Sequence, residues 1–125
     1  MVRRLLDTHL FLWAVSTLSK LSSAARKRID AADIFVSAAS IWEISIKSSI
    51  GKLKADPSEM LAGVSPAGFT LLPITGEHAA KVVELPQIHK DPFDRLLVAQ
   101  ASVEPMILLT NDALLRGYGS LVIVV

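Results

Sequence analysis

Cysteine is absent from this chain. That excludes disulfides, thiol catalysis and thiolate metal sites, and nothing points to an oxidising compartment. Long apolar runs are missing too, none approaching the roughly 18 residues that a membrane helix needs. No glycine-rich loop follows the first apolar segment, where Thr8-His9-Leu10-Phe11 stands instead, which argues against a phosphate-cradling nucleotide site. There is no repeat, low-complexity tract or linker. A strong charge of either sign is also lacking, since 13 basic and 12 acidic residues leave a net charge of +1.

What is present predicts a single globular domain over residues 1–125, 51% hydrophobic and 20% charged, long enough to bury a core. The mean hydropathy, +0.46, is high for a small domain and fits a covered parallel sheet or an apolar surface that meets a partner. Arg3-Arg4, the apolar run Leu10 to Val15 and Ser22-Ser23-Ala24-Ala25 imitate a signal peptide. Asp7 and His9 interrupt the apolar region, so the segment is expected to belong to the mature protein, with the cytoplasm as its location.

The chain reads as strands alternating with helices. A first strand, Val2 to Leu6, ends in Asp7-Thr8-His9, and Leu5-Leu6 predict burial on both faces, as in a parallel sheet covered by helices. A short helix follows from near Thr8 through Val15, and Ser22-Ser23 cap a second over Ala24 to Ala32. Asp33 to Ser37 is the next strand, and Ala38 to about Ile50 a helix stopped by Gly51. Asp56-Pro57 opens a helix to about Val64, with Asp56 as its cap. Phe69 to Ile74 reads as a strand, Thr75 through Leu85 as a helix, and Pro86 to Lys90 as a loop. Asp91-Pro92 opens a helix over Phe93 to Val103; Met106 to Leu109 is a strand, a helical turn starts at Asn111, and Ser120 to Val125 is the last strand. This is the pattern of βαβ units with right-handed crossovers.

Four acids fall where such a sheet delivers ligand-binding groups, at the carboxyl ends of its strands. Asp7 ends the first strand, Glu43 lies about a turn into the helix after the second, Asp94 sits in the first turn of the Asp91-Pro92 helix, and Asp112 follows the fourth strand. Ordinary roles are open to each. Asp7 could cap the Thr8 helix, Glu43 could pair with Lys47 four residues on, and Asp94 and Asp112 could serve helical first turns. If all four meet, they need a compensating cation, because close like charges raise each other's pKa. Oxygen ligation with no cysteine and no histidine pair favours Mg²⁺ or Mn²⁺ over zinc. With four of the 12 acids set apart, 13 basic residues face 8 acidic ones, a mildly basic body around an acidic hole that suits a metal plus a polyanion.

At these positions the chain resembles the PIN-domain family, and more narrowly the VapC-type toxins of prokaryotic toxin–antitoxin pairs. The matching segments are Leu5-Leu6-Asp7-Thr8-His9, Val36-Ser37-Ala38-Ala39-Ser40-Ile41-Trp42-Glu43-Ile44, Leu71-Leu72-Pro73-Ile74-Thr75, His89 through Ala101, and Leu109-Thr110-Asn111-Asp112, in order over essentially the whole chain. The resemblance implies a three-layer α/β/α sandwich with a five-stranded parallel sheet. It also implies an Mg²⁺- or Mn²⁺-dependent endoribonuclease site built from Asp7, Glu43, Asp94 and Asp112, with the hydroxyls of Thr8 and Thr110 supporting the acids. A homodimer, silenced by a cognate type II antitoxin whose tail blocks the site, is implied as well. Asp91 is left between a further ligand and a helix cap.

Other residues are weighed on chemistry alone. Lys47, Lys90 and Arg95 stand beside the acids as phosphate contacts or solvated charges, and Lys52 and Lys54 could extend an RNA-facing rim. His9 reads as a partly buried structural residue, His78 and His89 as surface residues, and Trp13 and Trp42 as core. Leu10, Trp13 and the helices to Val64 could offer an apolar groove to an antitoxin. A phosphatase of the haloacid dehalogenase type would want a second Asp where His9 stands, and a receiver domain an acidic pair and a late lysine that are not evident. The remaining alternatives to a ribonuclease are a PIN-like module acting on DNA and a non-catalytic binding scaffold.

Overall fold

A computed structural model describes residues 2–125. β1 (Val2–Leu6) is followed by α1 (Thr8–Ser16), α2 (Ser23–Asp30), β2 (Ala32–Ser37), α3 (Ala38–Ser49) and α4 (Pro57–Gly63). Then come β3 (Thr70–Leu72), α5 (Gly76–Lys81), α6 (Pro92–Val103), β4 (Ile107–Thr110) and β5 (Val122–Val124). The five strands form one parallel sheet in the order β3-β2-β1-β4-β5. β1 is central, with Leu6 level with Val36 on one side and Leu109 on the other.

Alternation along β1 divides the core. Leu6 joins Leu10, Phe11, Ile34, Val36, Ile44 and Met60 on one face of the sheet. Leu5 joins Ala39, Leu97, Val98, Leu108 and Tyr118 on the other. Helices therefore cover both faces, giving the expected PIN-like three-layer sandwich, and both leucines are fully buried.

The helices start where side chains take over their unpaired N–H groups. Asp7 accepts from Leu10, Ser22 from Ala25, Ser37 from Ala39, Asp56 from Ser58, and Asp91 from Phe93 and Asp94. α3 ends at Gly51, whose φ of 75° sits in the left-handed region. The N–H groups of Gly51 and Lys52 return to the carbonyls of Ser48 and Lys47, the paired bonds of a Schellman stop.

Several boundaries differ from the sequence reading. Ala32 begins β2 rather than closing α2. β3 stops at Leu72 because Pro73 has no N–H to give a ladder. The helix expected through Leu85 ends at Lys81 and tightens into a 3₁₀ turn, Val82–Glu84. The turn expected after Asn111 extends as 3₁₀ structure over Ala113–Leu121, kinked at Gly119, which shortens the last strand. Trp42, expected in the core, is 55% exposed and meets Phe93 edge-on at 5.0 Å between ring centroids. With Ile41, Leu61 and Leu71 it lines an apolar groove of about 500 Å³. Leu10 is buried in the core and does not line this groove. Among the described residues no helix is long and apolar enough to cross a membrane.

Candidate active site

Because β1 and β4 are adjacent and parallel, the residues that follow them emerge at the same edge of the sheet. Asp7 and Asp112 stand there, and α3 and α6 bring Glu43 and Asp94 to the same place. All four acids, with Thr8, His9, Lys47, His89, Asp91 and Leu114, line one cavity of about 300 Å³. Four separate stretches of chain supply its carboxylates.

Asp7, only 4% exposed, is held at both oxygens. Oδ1 caps α1 through the Leu10 N–H at 2.9 Å; Oδ2 accepts from the Thr110 hydroxyl and from the Asn111 N–H at 3.3 Å. Burial raises its pKa against the opposing pull of those hydrogen bonds. Glu43, equally buried at 5%, accepts from the Thr8 hydroxyl at 2.6 Å through Oε1 and from Lys47 Nζ at 2.5 Å through Oε2. The bond to Glu43 raises the Lys47 pKa against a smaller desolvation effect, and the charges of Asp91 and Asp94 add to it. Thr8 and Thr110 thus touch the acids directly.

Asp94 is the least satisfied of the set. Its side chain makes no hydrogen bond among the described residues, and His89 Nε2 stands 3.4 Å from Oδ2. Burial, then the charge of Asp91, with Glu43 and Asp7 adding, pushes its pKa up to about 7 against the opposing effect of His89. Asp112 behaves oppositely. Burial raises its pKa, but the hydrogen bonds from His89 and the Leu114 N–H together outweigh that effect and hold the carboxyl below the ordinary value.

The cap and site alternatives turn out not to compete, since a carboxylate has two oxygens. Asp7, Asp91 and Asp112 each cap a helical segment with Oδ1 while lining the cavity. The Glu43–Lys47 pair forms too, but inside the cavity rather than on an open surface.

Four residues depart from their expected places. Arg95 is buried and donates to the carbonyls of Val82 and Pro86 and to the Tyr118 hydroxyl, so it is no phosphate contact. His89, expected at the surface, binds Asp112 within the cavity. His78, also expected at the surface, is fully buried against Glu104. His9 is exposed at the cavity wall and stacks at a tilt on Trp13 rather than being partly buried. Lys90, Lys52 and Lys54 are exposed and are not part of the cavity wall. The signal available for His89 was its place in the loop just ahead of Asp91 and Asp94.

The donor set suits a hard divalent cation. Carboxylate oxygens converge in a space whose one lysine is Lys47, and the partly buried Asp94 carboxylate makes no side-chain hydrogen bond among the described residues. His89, Asp94 and Asp112 each offer an atom within 4.8 Å of the others, a spacing that can hold an ion.

The fold and this cavity define a parallel α/β domain with an acid-lined site at the carboxyl edge of its sheet. The PIN-domain model matches residues 4–120, and the chain belongs to that family. Solved structures share the fold at low identity. VapBC2 from Rickettsia felis, bound to a DNA fragment from its promoter, superposes with a TM-score of 0.71 at 15% identity, covering 97% of this chain and 96% of that one. DNA-bound VapBC from Salmonella typhimurium gives 0.67 at 17%, covering 98% of both. A toxin–antitoxin complex from Klebsiella pneumoniae gives 0.66 at 18%, covering 96% and 95%. No curated protein sequence matches the chain.

Proposed function

We propose that this protein is an Mg²⁺- or Mn²⁺-dependent endoribonuclease, the VapC-type toxin of a type II toxin–antitoxin pair. The observation that carries the proposal is the convergence of Asp7, Glu43, Asp94 and Asp112 on one cavity, where Asp94, its side chain 21% exposed, faces only His89 at 3.4 Å. Buried like charges are stable together only when a proton or a cation joins them. Asp7, Glu43, Asp94 and Asp112 would hold that cation, which supplies an activated water and charge stabilisation at a phosphodiester. Thr110 and the Asn111 N–H fix one oxygen of Asp7, and Thr8 fixes one of Glu43, so these acids meet a ligand without reorganising. Lys47, bound to Glu43 and 35% exposed, is the cation placed to meet a substrate phosphate.

Membership of the PIN family and likeness to toxin–antitoxin complexes support the toxin assignment. The partner would be a cognate antitoxin, and the toxin itself a homodimer working in the cytoplasm, where its RNA is found. The apolar groove at Trp42, Leu61 and Leu71 supports a protein partner, since exposed apolar surface of this kind marks contact sites.

The test is incubation of purified protein with RNA and with matched DNA, in Mg²⁺, Mn²⁺ or EDTA, beside Asp94→Asn. Metal-dependent RNA cleavage that the variant loses is the expected result. Cleavage of DNA alone would make the protein a deoxyribonuclease. Equal cleavage by the variant would remove Asp94 from the site.

A further inference from the structure

We propose that His89 is a positioning residue, not a metal ligand, and that a buried Arg95–Tyr118 brace holds it against the carboxylates; the role rests on the metal site proposed above. The ring is wired from both sides. Nδ1 accepts the Asp91 N–H at 3.0 Å, which places the proton of the neutral imidazole on Nε2. Nε2 faces Asp112 Oδ2 at 2.9 Å and Asp94 Oδ2 at 3.4 Å. A nitrogen that carries a proton has no lone pair for a metal, so His89 acts as a donor although its spacing from Asp94 and Asp112 would fit a ligand.

Asp112 is the acid that needs such a donor. Its side chain is 36% exposed, the most open of the pair facing His89, and Oδ1 is engaged by the Leu114 N–H at 3.0 Å. The His89 bond fixes Oδ2 and leaves a further lone pair on that oxygen for a cation. Donors of this kind orient carboxylate ligands, and their loss typically weakens metal affinity.

His89 lies on a stretch without regular structure, so something else must hold it still. Arg95, 8% exposed, places Nη1 on the Pro86 carbonyl and Nη2 on the Val82 carbonyl, both at 3.0 Å. Tyr118 donates its hydroxyl to the Pro86 carbonyl at 3.2 Å and accepts the His89 N–H at 3.2 Å. Gly117 is in close approach to the same stretch, where a Cβ would fall 2.8 Å from Ile88 Cγ2. Guanidinium, phenol and glycine therefore hold this stretch at Val82, Pro86, Ile88 and His89.

The experiment measures Mn²⁺ binding by calorimetry and by electron paramagnetic resonance in the native protein and in His89→Ala, His89→Gln, His89→Asn and Tyr118→Phe. His89→Ala should bind Mn²⁺ about 10- to 100-fold more weakly while keeping its circular dichroism spectrum. His89→Gln, whose amide nitrogen reaches where Nε2 does, should restore most of the affinity, and the shorter His89→Asn should not. Tyr118→Phe should fall between native protein and His89→Ala. The native Mn²⁺ spectrum should show no coupling to a directly bound histidine nitrogen. Native affinity in His89→Ala or His89→Asn, or such a nitrogen coupling lost on substitution of His89, would overturn the role while leaving the metal site standing. Failure of the native protein to bind Mn²⁺ would overturn the metal site and this role together.

Discussion

His78 and His89 share one wiring pattern in two regions of the molecule. Each ring accepts a backbone N–H at Nδ1, from Thr75 and Asp91 respectively, both at 3.0 Å, and each points Nε2 at a carboxylate. Their surroundings differ. His78 is fully buried and faces Glu104, while Gln100 lies 3.3 Å from Nδ1 and accepts the Ser37 hydroxyl. That knot ties α5 and α6 to the end of β2. His89 faces Asp112 and Asp94, which belong to a larger group of acids without enough cations. Identical local bonds thus close a satisfied network in one place and border an unsatisfied one in the other. What separates the two regions is the charge balance of the neighbourhood, not the geometry of the histidine.

The comparison can be broken most severely at the unsatisfied end. Asp94→Asn should cut metal-dependent cleavage by on the order of 10²–10³, the cost typical of losing one preorganised electrostatic group. The metal-free variant should melt no lower than the native protein, because a poorly partnered buried charge has been removed. Activity assays beside thermal melts would show whether the two effects separate.

At the satisfied end the pattern should invert. His78→Ala leaves the Thr75 N–H and Glu104 without their partner and opens a cavity, so it should cost about 3 kcal/mol in urea unfolding. Its Mn²⁺ affinity should stay native. A weakened metal site in this variant would mean that the two regions are coupled.

Acidity should sharpen the contrast. The folded Asp94 pKa, about 7, lies above the ordinary 3.8, so the native state binds more protons than the unfolded state between those values. Stability of the metal-free protein should therefore be highest near pH 4 and fall toward pH 7, with a slope of at most about 1.4 kcal/mol per pH unit from this group. Asp7, also raised, acts in the same sense, whereas the lowered Asp112 acts oppositely and only below about its ordinary value of 3.8. Saturating Mg²⁺ should flatten the fall. A metal-free stability that rises between pH 4 and 7 would contradict the electrostatics described for the cavity.

The smallest effect belongs to Thr110→Val. It removes the hydroxyl that donates to Asp7 and accepts the Asp112 N–H at 3.0 Å, and should cost about 1 kcal/mol with a partial loss of cleavage.

The sheet and the four acids could be read from the chain because each acid stands close to the carboxyl end of a strand or the start of a helix. A parallel α/β topology delivers such positions to one edge. The boundaries that failed were set by contacts outside the local pattern. The charge of Arg95 predicts a solvent-facing role, yet its guanidinium binds the Val82 and Pro86 carbonyls, and the helix predicted through Leu85 ends before them. The place of His89 is not legible in the sequence because it depends on Tyr118, which no spacing rule joins to it. The apolar residues around Trp42 predict a core position, but β3 ends at Leu72 and α4 leaves a groove over that face.

The central position of β1 has a consequence for timing. Its β4 neighbour, Ile107–Thr110, emerges about a hundred residues after it, as the Thr110–Asp7 bond spans 103 positions. Long-range pairings of that kind form late, after the entropy of closing the intervening chain has been overcome. During translation the nascent polypeptide therefore carries Asp7, Glu43 and Asp94 without the Thr110 and Asp112 that complete their surroundings. The cavity is completed only after β4 has left the ribosome, so the chain carries an unfinished site throughout the 103 positions that separate Asp7 from Thr110.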